Sequence, residues 1–299
     1  MTARIAMVLG AAGAVGRAFT AALRGAGLAV VTVDRSAAVD AAPAGADDVA
    51  VHDDVCCPGE ATRSHAARAD WVLACLPEDA ILAAIDQLVP VLRPGALFVD
   101  TSSVKSRVAA RMATARRDVE LLSINPLFAP SVGFAGQRVA AIGEPGAEAA
   151  ALLELLDHLG CRAVAMTAEQ HDRTMAAVQV ATHAAVLAFG AAVSALGITA
   201  ADLLVAATPP FCTLLALLAR ISGGTPEVYW EIQHGNERAP VARAALEAGL
   251  AELSAVVALG DRAGFDRLLD RSRALLGDRL PAMQQLCARL FAVPPVPDE

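Results

Sequence analysis

The chain has 299 residues, of which 56% are hydrophobic, 19% charged and 4% aromatic, and its net charge is −8. So much apolar residue with so little charge excludes a disordered chain, and the length suits two domains or one large one. The negative balance excludes bulk attraction to nucleic acid or to an anionic membrane, so no such partner is expected, and an anionic ligand must meet a local cluster of cations.

"RIAMVLG" (4–10) reads as the first strand, short, apolar and closed by glycine. It runs into "GAAGAVG" (10–16), where Gly10, Gly13 and Gly16 stand between the strand and a predicted helix at 14–26. The spacing is G-x-x-G-x-x-G, with Ala11 where the strict dinucleotide fingerprint has glycine. Gly13 lets backbone approach a pyrophosphate, Gly16 lets helix pack close to strand, and the helix start offers N–H groups and partial positive charge. "LAVVTVD" (28–34) ends on Asp34, 18 residues past Gly16. A carboxylate there accepts ribose hydroxyls and repels a 2′-phosphate, so NAD is expected over NADP, with Arg35 beside it as a counterweight. The expected cofactor set is Gly10, Ala12, Gly13, Val15, Gly16, Asp34 and Arg35, with Leu76 and Pro77 from a later strand end.

"DVAVHD" (48–53), "DWVLACLP" (70–77), "ALFVD" (96–100) and "VELLSINP" (119–126) continue the strands, with helix-length segments at 78–92 and 104–117. "QRVAAIG" (137–143), a helix at 146–159 and "CRAVAMT" (161–167) extend the series. Such alternation predicts an α/β fold with a doubly wound, parallel Rossmann-type sheet. After residue 168 the strand signals stop, and the chain reads as helix to Leu290, punctuated by "TPP" (208–210) and "SGGTP" (222–226). The expected domains are therefore 1–168, binding NAD, and 169–299, helical and serving substrate and dimerisation. The uncharged run Ala184 to Ala201 approaches membrane-span length, but its Gly, Ser, Thr and many Ala point to a helix in a core or dimer seam. Helices this apolar predict a homodimer through the second domain. Cysteines 56, 57, 75, 161, 212 and 287 have no C-x₂-C spacing, so reduced thiols, a cytoplasmic setting and no metal site are expected. No secretory signal opens the sequence, and the Pro-rich tail 291–299 is expected to be loose.

Three segments carry candidate chemistry. "DTSSVKS" (100–106) follows the fifth strand, at the sheet edge where ligands bind, and holds Lys105, the only lysine in the chain. Ser102 and Ser103 either cap the next helix or turn into the site. "INPLFAP" (124–130) ends the next strand at the same edge, with Asn125 before Pro126. "EQHDRTMAAVQVATH" (169–183) opens the helical domain with His171 and Asp172, and places His183 twelve residues on, about a third of a turn away in helical phase. Arg238 stands in "EVYWEIQHGNER" (227–238). Each alone has an ordinary explanation: a solvated lysine, a satisfied core histidine, a solvated arginine.

Together, in this order, they resemble the prephenate dehydrogenase family, from Gly10 to about Gln285. The resemblance rests on "SVK" after the fifth strand, the "NPLFAP" segment, the "HD" with a second His twelve residues on, and the "Y…ER" helix. It implies a nucleotide-binding domain followed by a helical dimerisation domain, in a form with no chorismate mutase segment before them. It implies that Ser103 hydrogen-bonds the catalytic group and that His183 and Arg238 hold the substrate's carboxylates or ketopropionate arm, with Ser102 and Gln179 beside them. It also implies that Lys105 lies near those carboxylates or the nicotinamide, and that His171 is structural.

Asn125 breaks the pattern, because the family has its catalytic His immediately before this proline. Ala129 for Gly, and Val180 for a His found in some members, are milder departures. A His relieves positive charge on ring carbon C4 by taking the hydroxyl hydrogen as hydride leaves, and an amide cannot take a proton. Three readings follow: a slow prephenate dehydrogenase of tyrosine biosynthesis, a non-catalytic NAD-binding paralogue, or an enzyme whose substrate needs no base. A C4 amine meets the third condition, since its lone pair already feeds C4. The expected substrate is then 4-amino-4-deoxyprephenate, the product 4-aminophenylpyruvate, and the destination 4-aminophenylalanine for secondary metabolism.

Overall fold

A computed structural model of the protein describes residues 4–36 and 48–293; the end of the expected loose tail, from residue 294, lies outside them. The chain divides into two compact units, Met1–Thr174 and Met175–Glu299.

The first unit is built on one eight-stranded sheet. Its strands are β1 (Ile5–Leu9), β2 (Ala29–Asp34), β3 (Val49–His52), β4 (Trp71–Ala74), β5 (Leu97–Asp100), β6 (Glu120–Pro126), β7 (Arg138–Ile142) and β8 (Arg162–Met166). They lie in the order β3-β2-β1-β4-β5-β6-β7-β8. The crossovers use helices α1 (Ala14–Gly25), α2 (Glu60–Ala66), α3 (Glu78–Leu88), α4 (Ser106–Met112) and α5 (Ala147–His158). The first six strands pair in parallel. Successive side chains of β1 go to opposite faces, Met7 and Leu9 into one core with Ile81, Ile85 and Phe98, Ala6 and Val8 into the other with Phe19 and Leu152. Burial on both faces explains why β4 and β5 are nearly unbroken apolar runs. The strand order reverses between β1 and β4, which opens a crevice at their carboxyl ends.

Two details differ from the sequence expectation. β7 runs antiparallel to β6, with Asn125 opposite Ala140. Only a single 3₁₀ turn at Pro130–Val132 lies between them, too little chain for a parallel crossover. α4 is also shorter than the predicted 104–117, ending at Met112.

The boundary between units falls inside a helix that runs from Ala168 to Ala195. It comprises α6 (Ala168–Met175), a π turn at Ala176–Ala181 and α7 (Thr182–Ala195). The run 184–201 is therefore not one helix: Gly197, at φ +70°, ends it, and α8 (Ala200–Val205) starts afresh behind the capping hydroxyl of Thr199. Ala168–Ala195 is long and apolar enough to cross a membrane, and only 17% of its most apolar stretch is buried within the described residues, so it is not a core helix of this chain alone. The second unit continues with α9 (Pro209–Ser222), α10 (Pro226–Gly235), α11 (Ala239–Ala258), α12 (Arg262–Leu276) and α13 (Leu280–Phe291). α7 and α9 approach closely because residue 190 is glycine: a Cβ there would fall 2.8 Å from Leu218. Large apolar side chains such as Leu250, Val257, Leu275 and Leu276 remain exposed on α11 and α12.

Candidate active site

The crevice is lined first by the glycine loop. Gly10 has φ +75°, and a Cβ on it would sit 2.2 Å from the Cys75 carbonyl oxygen and 2.9 Å from Leu76. A Cβ on Gly16 would sit 2.1 Å from the Gly10 oxygen. Neither position admits another residue without moving backbone. Gly13 is the N-cap of α1, and no side chain caps that helix start. Asp34 ends β2 and ties the loop down, its two oxygens accepting from the amides of Ala12 (2.9 Å) and Ser36 (2.8 Å). Val15 is half-buried on α1, Arg35 is exposed, and Pro77 is the N-cap of α3. A cradle that only glycine fits, an open helix start and a strand-ending acid together fit a dinucleotide.

The second group lies at the ends of β5 and β6. Asn125, 2% exposed, points its Nδ2 at His171 Nε2, 3.0 Å away. His171, fully buried, has Nδ1 2.7 Å from Asp172 Oδ1. Asp172 also accepts from the amides of Lys105 (3.0 Å) and Ser106 (2.9 Å), so it caps α4 from another element. Burial by itself would raise the Asp172 carboxyl, but the hydrogen bonds from His171, Ser106 and those amides outweigh it and hold the group below its ordinary value. Among the described residues the Asn125 carbonyl oxygen has no hydrogen-bond partner.

Lys105 is committed within the protein rather than open at the sheet edge. Its side chain is fully buried and paired with Asp100 at 2.9 Å. Its remaining donors go to Ser102 Oγ (3.2 Å) and the Ile124 carbonyl (2.6 Å). All three ammonium hydrogens are thus committed, and burial lowers its pKa against the pull of Asp100. The lysine joins the end of β5 to the peptide just before Asn125. Ser102 is likewise bonded within the protein, its hydroxyl 2.6 Å from Asp100 and 2.7 Å from the Val104 carbonyl. Ser103 is half-buried and makes no hydrogen bond to Asn125; the partner of that amide is His171, for which the resemblance implies a structural role. The adjacent acid in "HD" was the one available signal, since a carboxylate beside an imidazole fixes its tautomer.

Gln179, His183 and Arg238 belong to the second unit. Gln179 lies in the π turn and His183 four residues on, in the first turn of α7. The π turn departs from the regular helical phase used to relate His171 to His183. Among the described residues, Gln179 Oε1 and His183 Nδ1 are both buried without a hydrogen-bond partner, a condition that a polar ligand would relieve. The His183 ring meets Tyr229 edge-on at 5.1 Å, and burial, then Arg220, lowers its pKa. Arg238 is exposed just before α11, its amide held by Asn236 Oδ1 at 2.9 Å.

Comparison with known proteins gives the same two-part architecture. Residues 19–140 match the family model for the prephenate dehydrogenase nucleotide-binding domain, and residues 167–271 match that for its dimerisation domain. A 4-amino-4-deoxyprephenate dehydrogenase of Streptomyces pristinaespiralis is 44% identical over 290 residues, 95% of either chain. Among solved structures, prephenate dehydrogenase from A. aeolicus, in complex with hydroxyphenyl propionate and NAD+, superposes with a TM-score of 0.69 at 17% identity, covering 95% of this chain and 99% of that one. Synechocystis arogenate dehydrogenase gives 0.65 at 19% identity, covering 90% and 98%. With its glycine cradle, its helical second unit and this full-length similarity, the chain belongs to the prephenate dehydrogenase family.

Proposed function

We propose that this enzyme carries out the NAD+-dependent oxidative decarboxylation of 4-amino-4-deoxyprephenate to 4-aminophenylpyruvate. The observation that carries the reading is Asn125, an amide with an unpartnered carbonyl oxygen standing where the family resemblance calls for a proton-accepting imidazole. The relative that is 44% identical bears the name of the same reaction.

Gly10, Gly13, Gly16 and Asp34 would hold the dinucleotide, which when bound supplies the hydride acceptor. In the substrate, the C4 hydrogen leaves with its electron pair and the ring carboxylate departs as CO₂. The electrons of the broken C–C bond complete the aromatic ring. Positive charge appears transiently on C4 and its substituent. A hydroxyl there gains from losing its proton, which is the task of a general base, worth about 10²–10⁴-fold. A neutral amine donates its lone pair and becomes iminium-like, so an acceptor for its N–H suffices. The Asn125 carbonyl supplies that acceptor. His183, Gln179 and Arg238 would engage the carboxylates and the ketopropionate arm, Arg by its planar fork. The exposed apolar residues of α11, such as Leu250 and Val257 within the matched dimerisation domain, support a homodimer. All six cysteines are free, which supports a reducing, cytoplasmic setting. The product would serve 4-aminophenylalanine supply for antibiotic-type secondary metabolism.

The test is direct. Purified protein given NAD+ and 4-amino-4-deoxyprephenate should release CO₂, NADH and 4-aminophenylpyruvate in equal amounts. No turnover of that substrate refutes the proposal.

A further inference from the structure

We infer that the His171–Asp172 pair is a positioning device that fixes which end of the Asn125 amide faces the substrate. This rests on the reading of Asn125 as the acceptor of a substrate N–H.

Asp172 is a buried carboxylate, hence acceptor-only, and already receives the amides of Lys105 and Ser106. The His171 nitrogen 2.7 Å from it must therefore be the donor, which puts the ring proton on Nδ1. In the neutral ring Nε2 then carries a lone pair. At 3.0 Å from the Asn125 amide, that lone pair accepts an N–H and repels a carbonyl oxygen. The flipped amide would set oxygen lone pair against nitrogen lone pair in a site where His171 is fully buried. So the NH₂ end is held inward and the oxygen is left as the free end. Without His171 the amide can rotate and present N–H donors to a centre that is gaining positive charge. The bond to the substrate strengthens as charge builds, so losing the orientation lowers kcat more than it raises KM.

The experiment is a double-mutant cycle with kcat and KM measured for each form, the wild type, His171→Leu, Asn125→Ala and the double variant, with His171→Gln as the conservative form. If His171 acts through Asn125, His171→Leu lowers kcat roughly 10- to 100-fold, the range for leaving a buried polar group unsatisfied or misdirected. The double variant is then no slower than Asn125→Ala alone, and His171→Gln, which keeps an acceptor, recovers part of the loss. Additive losses, or an unchanged kcat in His171→Leu, overturn the inference. Should His171→Leu not fold, nitrogen NMR of the wild type decides: a protonated Nδ1 with Nε2 accepting from the Asn125 amide supports it, and a protonated Nε2 overturns it. The cycle runs on whichever of the amino or hydroxy compounds is turned over. A wild type that prefers the hydroxy compound therefore sinks the substrate reading, while additivity sinks the positioning role.

Discussion

Asn125→His restores the imidazole that the family resemblance leads one to expect, and its consequences can be worked from the site. The amide now donates to His171 Nε2 at 3.0 Å, and an imidazole N–H can donate to the same lone pair. Its other nitrogen would then occupy the place of the amide carbonyl, now as a base. For prephenate the gain is that of general-base catalysis, about 10²–10⁴-fold in kcat. For the amino compound the imidazole nitrogen still accepts the substrate N–H, so little is lost. The ratio of the two kcat/KM values should therefore move toward prephenate by about 100-fold or more. The larger ring enters a site where Asn125 is 2% exposed, so an overpacking cost of about 1–3 kcal/mol in stability is expected alongside. The assay is initial NADH formation with both substrates at saturating NAD+, with thermal melting to confirm folding. A folded variant whose ratio stays within a few-fold of the wild type would refute the assignment of residue 125 as the discriminator.

Four further outcomes are expected. Lys105→Met strands the Asp100 carboxylate in the core and should cost about 3–5 kcal/mol in a denaturant titration, while Lys105→Met with Asp100→Leu should recover much of it. Gly16→Ala forces a Cβ to within 2.1 Å of the Gly10 oxygen and should weaken NAD+ binding at least 10-fold by calorimetry. Asp172 is held below the ordinary 3.8, so its stabilising contribution is complete above that pH and lost as pH falls through the lower folded value; Asp172→Asn should flatten that acid limb of a stability–pH curve. Burial pushes the Cys75 thiol up to about 12, whereas Cys56 and Cys57 are exposed, so alkylation at neutral pH should label the pair long before Cys75 in peptide mapping.

The strand and helix alternation, the glycine loop with Asp34, and the change to helix near residue 168 were all legible from local pattern, because burial on two faces and tight turns impose composition directly. The antiparallel β7 was not, since the strand pattern of 137–143 is the same in either direction and only the short connection after Pro126 decides it. Asn125 stood out as a departure from a family pattern, but its surroundings did not. Lys105 looked like a ligand group because it is a unique lysine; its buried pairing with Asp100 and the Ile124 carbonyl depends on how two strand ends meet. His171 was passed over for the same reason, as its contact with Asn125 spans 46 positions. The π turn at 176–181 carries no composition signal and alters the phase that a regular helix assigns to His183.

The central claim is that an amide acceptor replaces a proton acceptor because the ring substituent is nitrogen. Steady-state kcat/KM of the wild-type protein for 4-amino-4-deoxyprephenate and for prephenate, side by side with NAD+, tests it most directly. A preference for the amino compound of about 10-fold or more is expected, the smallest gain that general-base assistance gives a hydroxyl being larger still. Equal values, or brisk oxidation of prephenate alone, would contradict it.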